Sequence, residues 1–251
     1  MTDVLDALTA ELAAATNRLL ATVAGLADSD VTAPSRLPGW TRGHVLAHIA
    51  RNADSHLNLL TWARTGVETP QYPDHEARAA AIEAGARRPA AEQLADLEES
   101  AARFAAAVRG MPAYAWRARV RGLGPPEHPA WYVLVRRVRE VEVHHVDLDA
   151  GYDWTDWPEP FVRRELHDAL ACWPQAHDTS IGEIHAGGRR WTGLGAGPAV
   201  HGAPAEVLAW LTGRAPGTGL KVIPEGAVAP PPWLTMPAPP RLPATPPKEY
   251  P

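Results

Sequence analysis

The chain has 251 residues, enough for one large domain or two modest ones whose cores need no covalent or metal staple. A formal charge of -5 with 21% charged residues gives no electrostatic footprint for nucleic acid or for an anionic membrane surface. Cys172 is the single cysteine, which excludes an intrachain disulfide and a secreted disulfide scaffold, so a reducing cytoplasm is expected and Cys172 reads as a small core residue.

The first twenty residues, MTDVLDALTAELAAATNRLL, lack the basic start and unbroken apolar run of a signal peptide, and no later stretch approaches a membrane span. Val4, Leu5, Leu8, Leu12, Leu19, Leu20, Val23 and Leu26 recur at near-helical spacing on an Ala-rich background, which predicts a long first helix. VTAPSRLPGW breaks the pattern with two prolines and a glycine, and Thr41 offers the N-cap of a second helix from about Arg42 to Arg64. After a loop at Gly66 to Asp74, helical sequence runs from His75 to Gly110, interrupted near Pro89. Residues 111–129 read as irregular, and PAWYVLVRRVREVEVHHVDLDAGY as a fourth helix ending near Gly151.

These helices predict a bundle over residues 1–152. The texture then changes. WPEPFVRRELHDALACW and APAEVLAWLTGR read as helices, while IGEIHAGGRRWTGL, GPAVHG and LKVIPEG read as strands. A small α/β domain over 155–225 and an extended Pro-rich tail over 226–251 complete an α+β architecture.

The chemistry concentrates on the fourth helix. Steps of four and three from Val133 place Arg137, Glu140, His144 and Asp147 on one face, beside a largely apolar stripe of Leu134, Val138, Val141, His145 and Leu148. That places the polar stripe at the border of the bundle. A carboxylate and an imidazole four residues apart can present oxygen and nitrogen to one ion. On the second helix, GHVLAHIARN sets His44 and His48 at the same spacing. Either one completes a two-His, one-carboxylate set suited to Zn²⁺ or another first-row ion, and spacing alone does not choose between them.

LPGWTRGHVLAHIARN, REVEVHHVDLDAGY and VHGAPAEVLAWLTGR resemble, in that order, the mycothiol-dependent maleylpyruvate isomerase family, over roughly residues 1–220. The resemblance implies a DinB-like metal-binding four-helix bundle with a small C-terminal domain. It implies His48, Glu140 and His144 as ligands of zinc or another divalent metal, which selects His48 over His44. It also implies Arg214, closing LTGR, as the partner of a substrate carboxylate, with Arg78 in DHEAR a second candidate for that role.

The activity implied is cis–trans isomerisation of a small unsaturated dicarboxylate such as maleylpyruvate, through addition of the mycothiol thiolate, rotation and elimination. DinB-like bundles serve several thiol chemistries, so the alternatives are a mycothiol S-transferase, which consumes the thiol, and a non-catalytic metal-binding regulatory protein. The expected partners are a small-molecule carboxylate and a low-molecular-weight thiol, with neither nucleic acid nor membrane.

Overall fold

The computed structural model describes residues 2–176, 181–226, 228–230 and 238–248. The architecture is α+β. The chain divides into two compact units, residues 1–152 with 242–250, and residues 153–241 with 251.

In the first unit, α1 (Thr2–Ala24) buries Leu5, Leu8, Leu12, Ala15, Leu19 and Val23, the three-and-four spacing of one helical face. It packs on α5 (Ala90–Arg109) and α6 (Tyr132–Asp147); α3 (Arg42–Thr65) packs on the same two, which closes a four-helix ring. A short α2 (Asp28–Thr32) leads into the segment before α3, and α4 (His75–Ala86) lies against α3. The helical sequence expected over 75–110 is therefore two helices, α4 ending at Ala86 and α5 starting after Pro89. The α3–α4 approach is close enough to require glycine: a Cβ on Gly43 would lie 2.0 Å from the Ala86 carbonyl oxygen.

Helix α6 ends at Asp147, earlier than the sequence pattern indicates. Asp149 (φ 53°) and Gly151 (φ 92°) take left-handed backbone there, which stops the helix. Val133, Leu134, Val135, Val138, Val141, Val143 and Val146 are all buried, so α6 is enclosed on most sides. Each such side chain contributes about 1.5–3 kcal/mol relative to exposure. The polar stripe consequently faces inward against α3 instead of lying at the bundle border; Arg137 and Asp147 are 3% and 0% exposed. Within the stretch read as irregular, β1 (Arg119–Val120) and β2 (His128–Pro129) form a short antiparallel ladder.

In the second unit a four-stranded mixed sheet has the order β4-β3-β5-β6. Strands β3 (Glu183–Ala186) and β4 (Arg189–Thr192) form a hairpin through Gly187 and Gly188, both at positive φ, as a tight two-residue turn requires. β5 (Ala199–Gly202) runs parallel to β3, and β6 (Lys221–Ile223) antiparallel to β5. Ile184, Ala186 and Val200 alternate onto one face. There they join Leu166, Leu170 and Trp173 of α7 (Glu159–Ala176) and Val207 and Trp210 of α8 (Pro204–Leu211) in one core. Cys172 is buried.

The Pro-rich segment lies partly outside the described residues, at 227, 231–237 and 249–251. Residues 242–248 belong with the first unit, where the Trp131 indole Nε1 donates to the Pro243 carbonyl oxygen at 3.0 Å. No helix among the described residues is long and apolar enough to cross a membrane.

Candidate metal centre

The register between α3 and α6 is set by the segment that precedes α3. The Arg36 backbone N–H donates to the Asp147 carbonyl oxygen (2.9 Å), while Arg42 donates to the carbonyls of Leu148 and Asp149 (2.6 Å each). These donors satisfy the open carbonyl end of α6 and fix it beside the start of α3. At the other end of the pairing, Arg137 donates to the Ile49 carbonyl (2.9 Å) and to Asn52 Oδ1 (2.8 Å). Between the two anchors, one turn of α3 and two turns of α6 bring His48, Glu140 and His144 together.

His48 Nε2 lies 3.1 Å from Glu140 Oε2 and 3.1 Å from His144 Nε2, and His144 Nε2 lies 3.4 Å from Glu140 Oε2. Tetrahedral coordination with bonds of about 2.0–2.1 Å has ligand–ligand edges of about 3.3–3.4 Å, so these three atoms fit a divalent first-row ion without rearrangement. The side chain of His48 is 5% exposed and those of Glu140 and His144 are 23% and 16% exposed, which leaves the group approachable from one side. Among the described residues it is the one cluster of metal-ligating groups at such separations.

Neighbouring groups border both imidazoles. His144 Nδ1 donates to Asp147 Oδ2 at 2.8 Å, leaving Nε2 to face the cluster, the carboxylate–histidine arrangement that supports metal-bound imidazoles. Arg78, on α4, has its Nη2 3.2 Å from His48 Nδ1, so it borders the triad. The Trp40 ring packs edge-on against His48 at 5.7 Å.

Electrostatics differ among the three residues. Burial dominates at His48 and pushes its imidazole down to about 4, so it stays neutral at physiological pH. Burial opposes charge on His144 as well, but its hydrogen bonds to Asp147 and Glu140 outweigh that and lift it to about 9. Burial likewise opposes ionisation of Glu140, yet hydrogen bonds from His144 and His48 hold its carboxyl well below the usual range.

His44 stands apart from this group. Its Nδ1 accepts the Thr41 backbone N–H (3.2 Å) and its Nε2 bonds Glu83 Oε2 (3.0 Å), so it caps α3 and ties it to α4. Arg214 belongs to the second unit, just after α8, where its guanidinium donates to the Thr212 carbonyl oxygen. Sequence spacing had placed Asp147 on the ligand face without giving it a role, and nothing local to α4 marks Arg78 as reaching His48.

A family model described as the mycothiol maleylpyruvate isomerase N-terminal domain matches residues 12–149. Two solved structures match as well. One is a mycothiol-dependent maleylpyruvate isomerase, at TM-score 0.84 and 28% identity, covering 91% of this chain and 97% of that one. The other is a mycothiol-dependent maleylpyruvate isomerase with a histidine-to-alanine substitution, matching at the same values. No curated protein sequence matches significantly. With a matched segment running from α1 to α6 and solved structures that cover nearly the whole chain, this protein, DinB-like in its bundle, belongs to the mycothiol-dependent maleylpyruvate isomerase family.

Proposed function

We propose that the protein is a metal- and mycothiol-dependent cis–trans isomerase of a small unsaturated dicarboxylate such as maleylpyruvate. The observation that carries this reading is the convergence of His48, Glu140 and His144 to separations that suit one divalent ion, in a chain of this family. An ion held there by two neutral imidazoles and one carboxylate keeps a position open, and it would stabilise a thiol as its thiolate at neutral pH. Zinc fits the donor set, as do other first-row ions.

The chain's own residues then have distinct tasks. Asp147 holds the His144 ring with Nε2 aimed at the cluster. Arg78 places a forked cation at its border, suited to a substrate carboxylate. Arg214 is assigned the second carboxylate on the family resemblance, since a planar guanidinium donates two parallel hydrogen bonds where a lysine offers a point charge.

The test is turnover of maleylpyruvate by the zinc-loaded protein with mycothiol, following the product isomer and the free thiol together. Isomer formed at constant thiol is the expected result. Thiol consumed in step with substrate would make the protein a transferase instead, and metal binding without any turnover would leave a regulatory metal protein.

A further inference from the structure

The first unit holds a cavity that none of the triad residues lines. Its volume is about 340 Å³, within the range of about 300–1,000 Å³ usual for small-molecule sites. It lies between the α3–α4 loop, residues 66–74, and the β1–β2 loop, residues 121–127, beside Trp62 near the end of α3.

The two loops are fixed to α3 and to each other. Asn58 Nδ2 donates to the carbonyls of Pro70 (3.1 Å) and Gln71 (3.3 Å), which pins the first loop to the helix. Gln71 Oε1 accepts the Leu123 backbone N–H (3.1 Å), which ties the second loop to the first. The loops meet closely enough to require glycine: a Cβ on Gly122 would lie 2.6 Å from Gln71 Oε1 and 2.8 Å from Arg136 Nη1. The cavity is therefore preformed, and a ligand need not order it.

Its lining selects the ligand. Trp62 and Tyr72, both half-buried, supply ring faces, and Glu68, Asp74 and Arg121 stand around them. Arg121 Nη2 is 3.7 Å from Glu68 Oε1, too far for a hydrogen bond. Among the described residues, neither of these two side chains, nor the Trp62 indole N–H, has a hydrogen-bond partner. Donors and acceptors are thus both available. Two carboxylates against one guanidinium give no positive excess, so a dicarboxylate gains nothing here. A hydrocarbon would desolvate the polar groups without pairing them. An uncharged ring bearing several hydroxyls suits the whole lining, because each hydroxyl donates and accepts while the C–H face of the ring packs on an aromatic side chain.

Mycothiol ends in such a ring. It joins an acetylated cysteine by an amide to glucosamine, which carries inositol, so about eight bonds separate the sulfur from the inositol, a reach of about 10 Å when extended. Gln71, in the cavity wall, is bonded to both helices of the triad: its Nε2 donates to Ser55 Oγ (3.2 Å) and its Oε1 accepts from Arg136 Nη2 (3.2 Å). Ser55 lies two turns beyond His48 on α3, and Arg136 one turn before Glu140 on α6, separations of about 10 Å and about 6 Å along the helices. The wall at Gln71 therefore stands at the distance from the triad that the molecule spans. We propose that this cavity binds the glucosaminyl-inositol end of the thiol cosubstrate, with Trp62 as the stacking face and Glu68 and Arg121 as partners of its hydroxyls. This assignment rests on the mycothiol-dependent reading and adds a specificity site to it.

The experiment compares the full-length, zinc-loaded wild type with Trp62→Ala and Arg121→Ala. The Arg121 side chain is 53% exposed, so its removal is expected to leave helicity and zinc content as they are. Calorimetry gives the affinity for glucosaminyl-inositol, a probe without sulfur, and for mycothiol; steady-state kinetics give kcat and KM. The wild type is expected to bind the probe, and each variant to bind both probe and mycothiol about tenfold more weakly. The KM for mycothiol should rise by a similar factor, by more than kcat falls. No probe binding by the wild type, or equal probe affinity in all three proteins, would overturn the assignment. Probe binding that weakens in the variants while mycothiol affinity does not would make the cavity a site for a separate sugar, and would overturn it too. If both affinities depend on Trp62 and Arg121 while the wild type does not isomerise maleylpyruvate, the cavity assignment stands and the isomerase reading falls.

Discussion

His144 and its neighbours make the candidate metal centre sensitive to protons. Its folded value near 9 lies above the ordinary 6.5, so the metal-free site carries a proton on His144 at neutral pH, whereas His48, depressed to about 4, carries none. The stabilisation that charged His144 gives the metal-free protein is therefore complete below about pH 6.5 and is lost as pH rises through about 9. A metal must displace that proton. Calorimetric titration of zinc at pH 7.5, in buffers of different ionisation enthalpy, should show at least about one proton released per ion bound. Binding with no proton release would contradict the arrangement. The same ring depends on Asp147 for its orientation, so Asp147→Asn should weaken metal affinity about 10–100-fold with the helical spectrum unchanged. Unaltered affinity would remove Asp147 from the site. Of these residues, Glu140, His144 and Asp147 were legible as one helical face, because spacing within a helix fixes direction. Arg78 was not marked by spacing, since a separate helix brings it in and no short-range pattern encodes that approach.

Among the elements, α3 and α6 carry the candidate site; α3 was read from the sequence close to its observed extent, whereas α6 was recognised as a helix but is shorter at both ends than the pattern indicated. The Thr41 cap, the apolar repeats and the valine-rich run are all local signals. Two features escaped. The inward turn of the α6 polar stripe depends on Arg137 finding acceptors on α3, a tertiary event. The early end of α6 depends on left-handed backbone at Asp149 and on Arg42 reaching from the segment before α3. The α3–α4 contact supplies a prediction at this scale. In Gly43→Ala the new methyl meets the Ala86 carbonyl at 2.0 Å and Val31 Cγ1 at 2.9 Å, so α4 must move away. Overpacking of this kind costs about 1–3 kcal/mol, and the midpoint of thermal unfolding should fall by several degrees. An unchanged midpoint would mean that the two helices are not held at this distance.

Over the whole molecule, the change of texture near residue 152, from Ala-rich helix to short strands and turns, coincides with the junction between the two compact units. The late Pro-rich segment has no periodicity to read, and only the structure associates residues 242–248 with the bundle unit, through the carbonyl of Pro243 on the buried Trp131. Removing residues 242–251 should cost about 1–3 kcal/mol by taking away that acceptor and its cover, seen as a lower unfolding midpoint with metal content retained. A truncated chain as stable as the full one would make the segment dispensable to the fold. The account as a whole stands on the metal centre, and elemental analysis of the purified wild-type protein beside His48→Ala tests it most directly. One divalent ion per wild-type chain, with metal lost from a His48→Ala protein of unchanged helical content, is the predicted result; a wild type without metal, or a His48→Ala protein that keeps its ion, would contradict it.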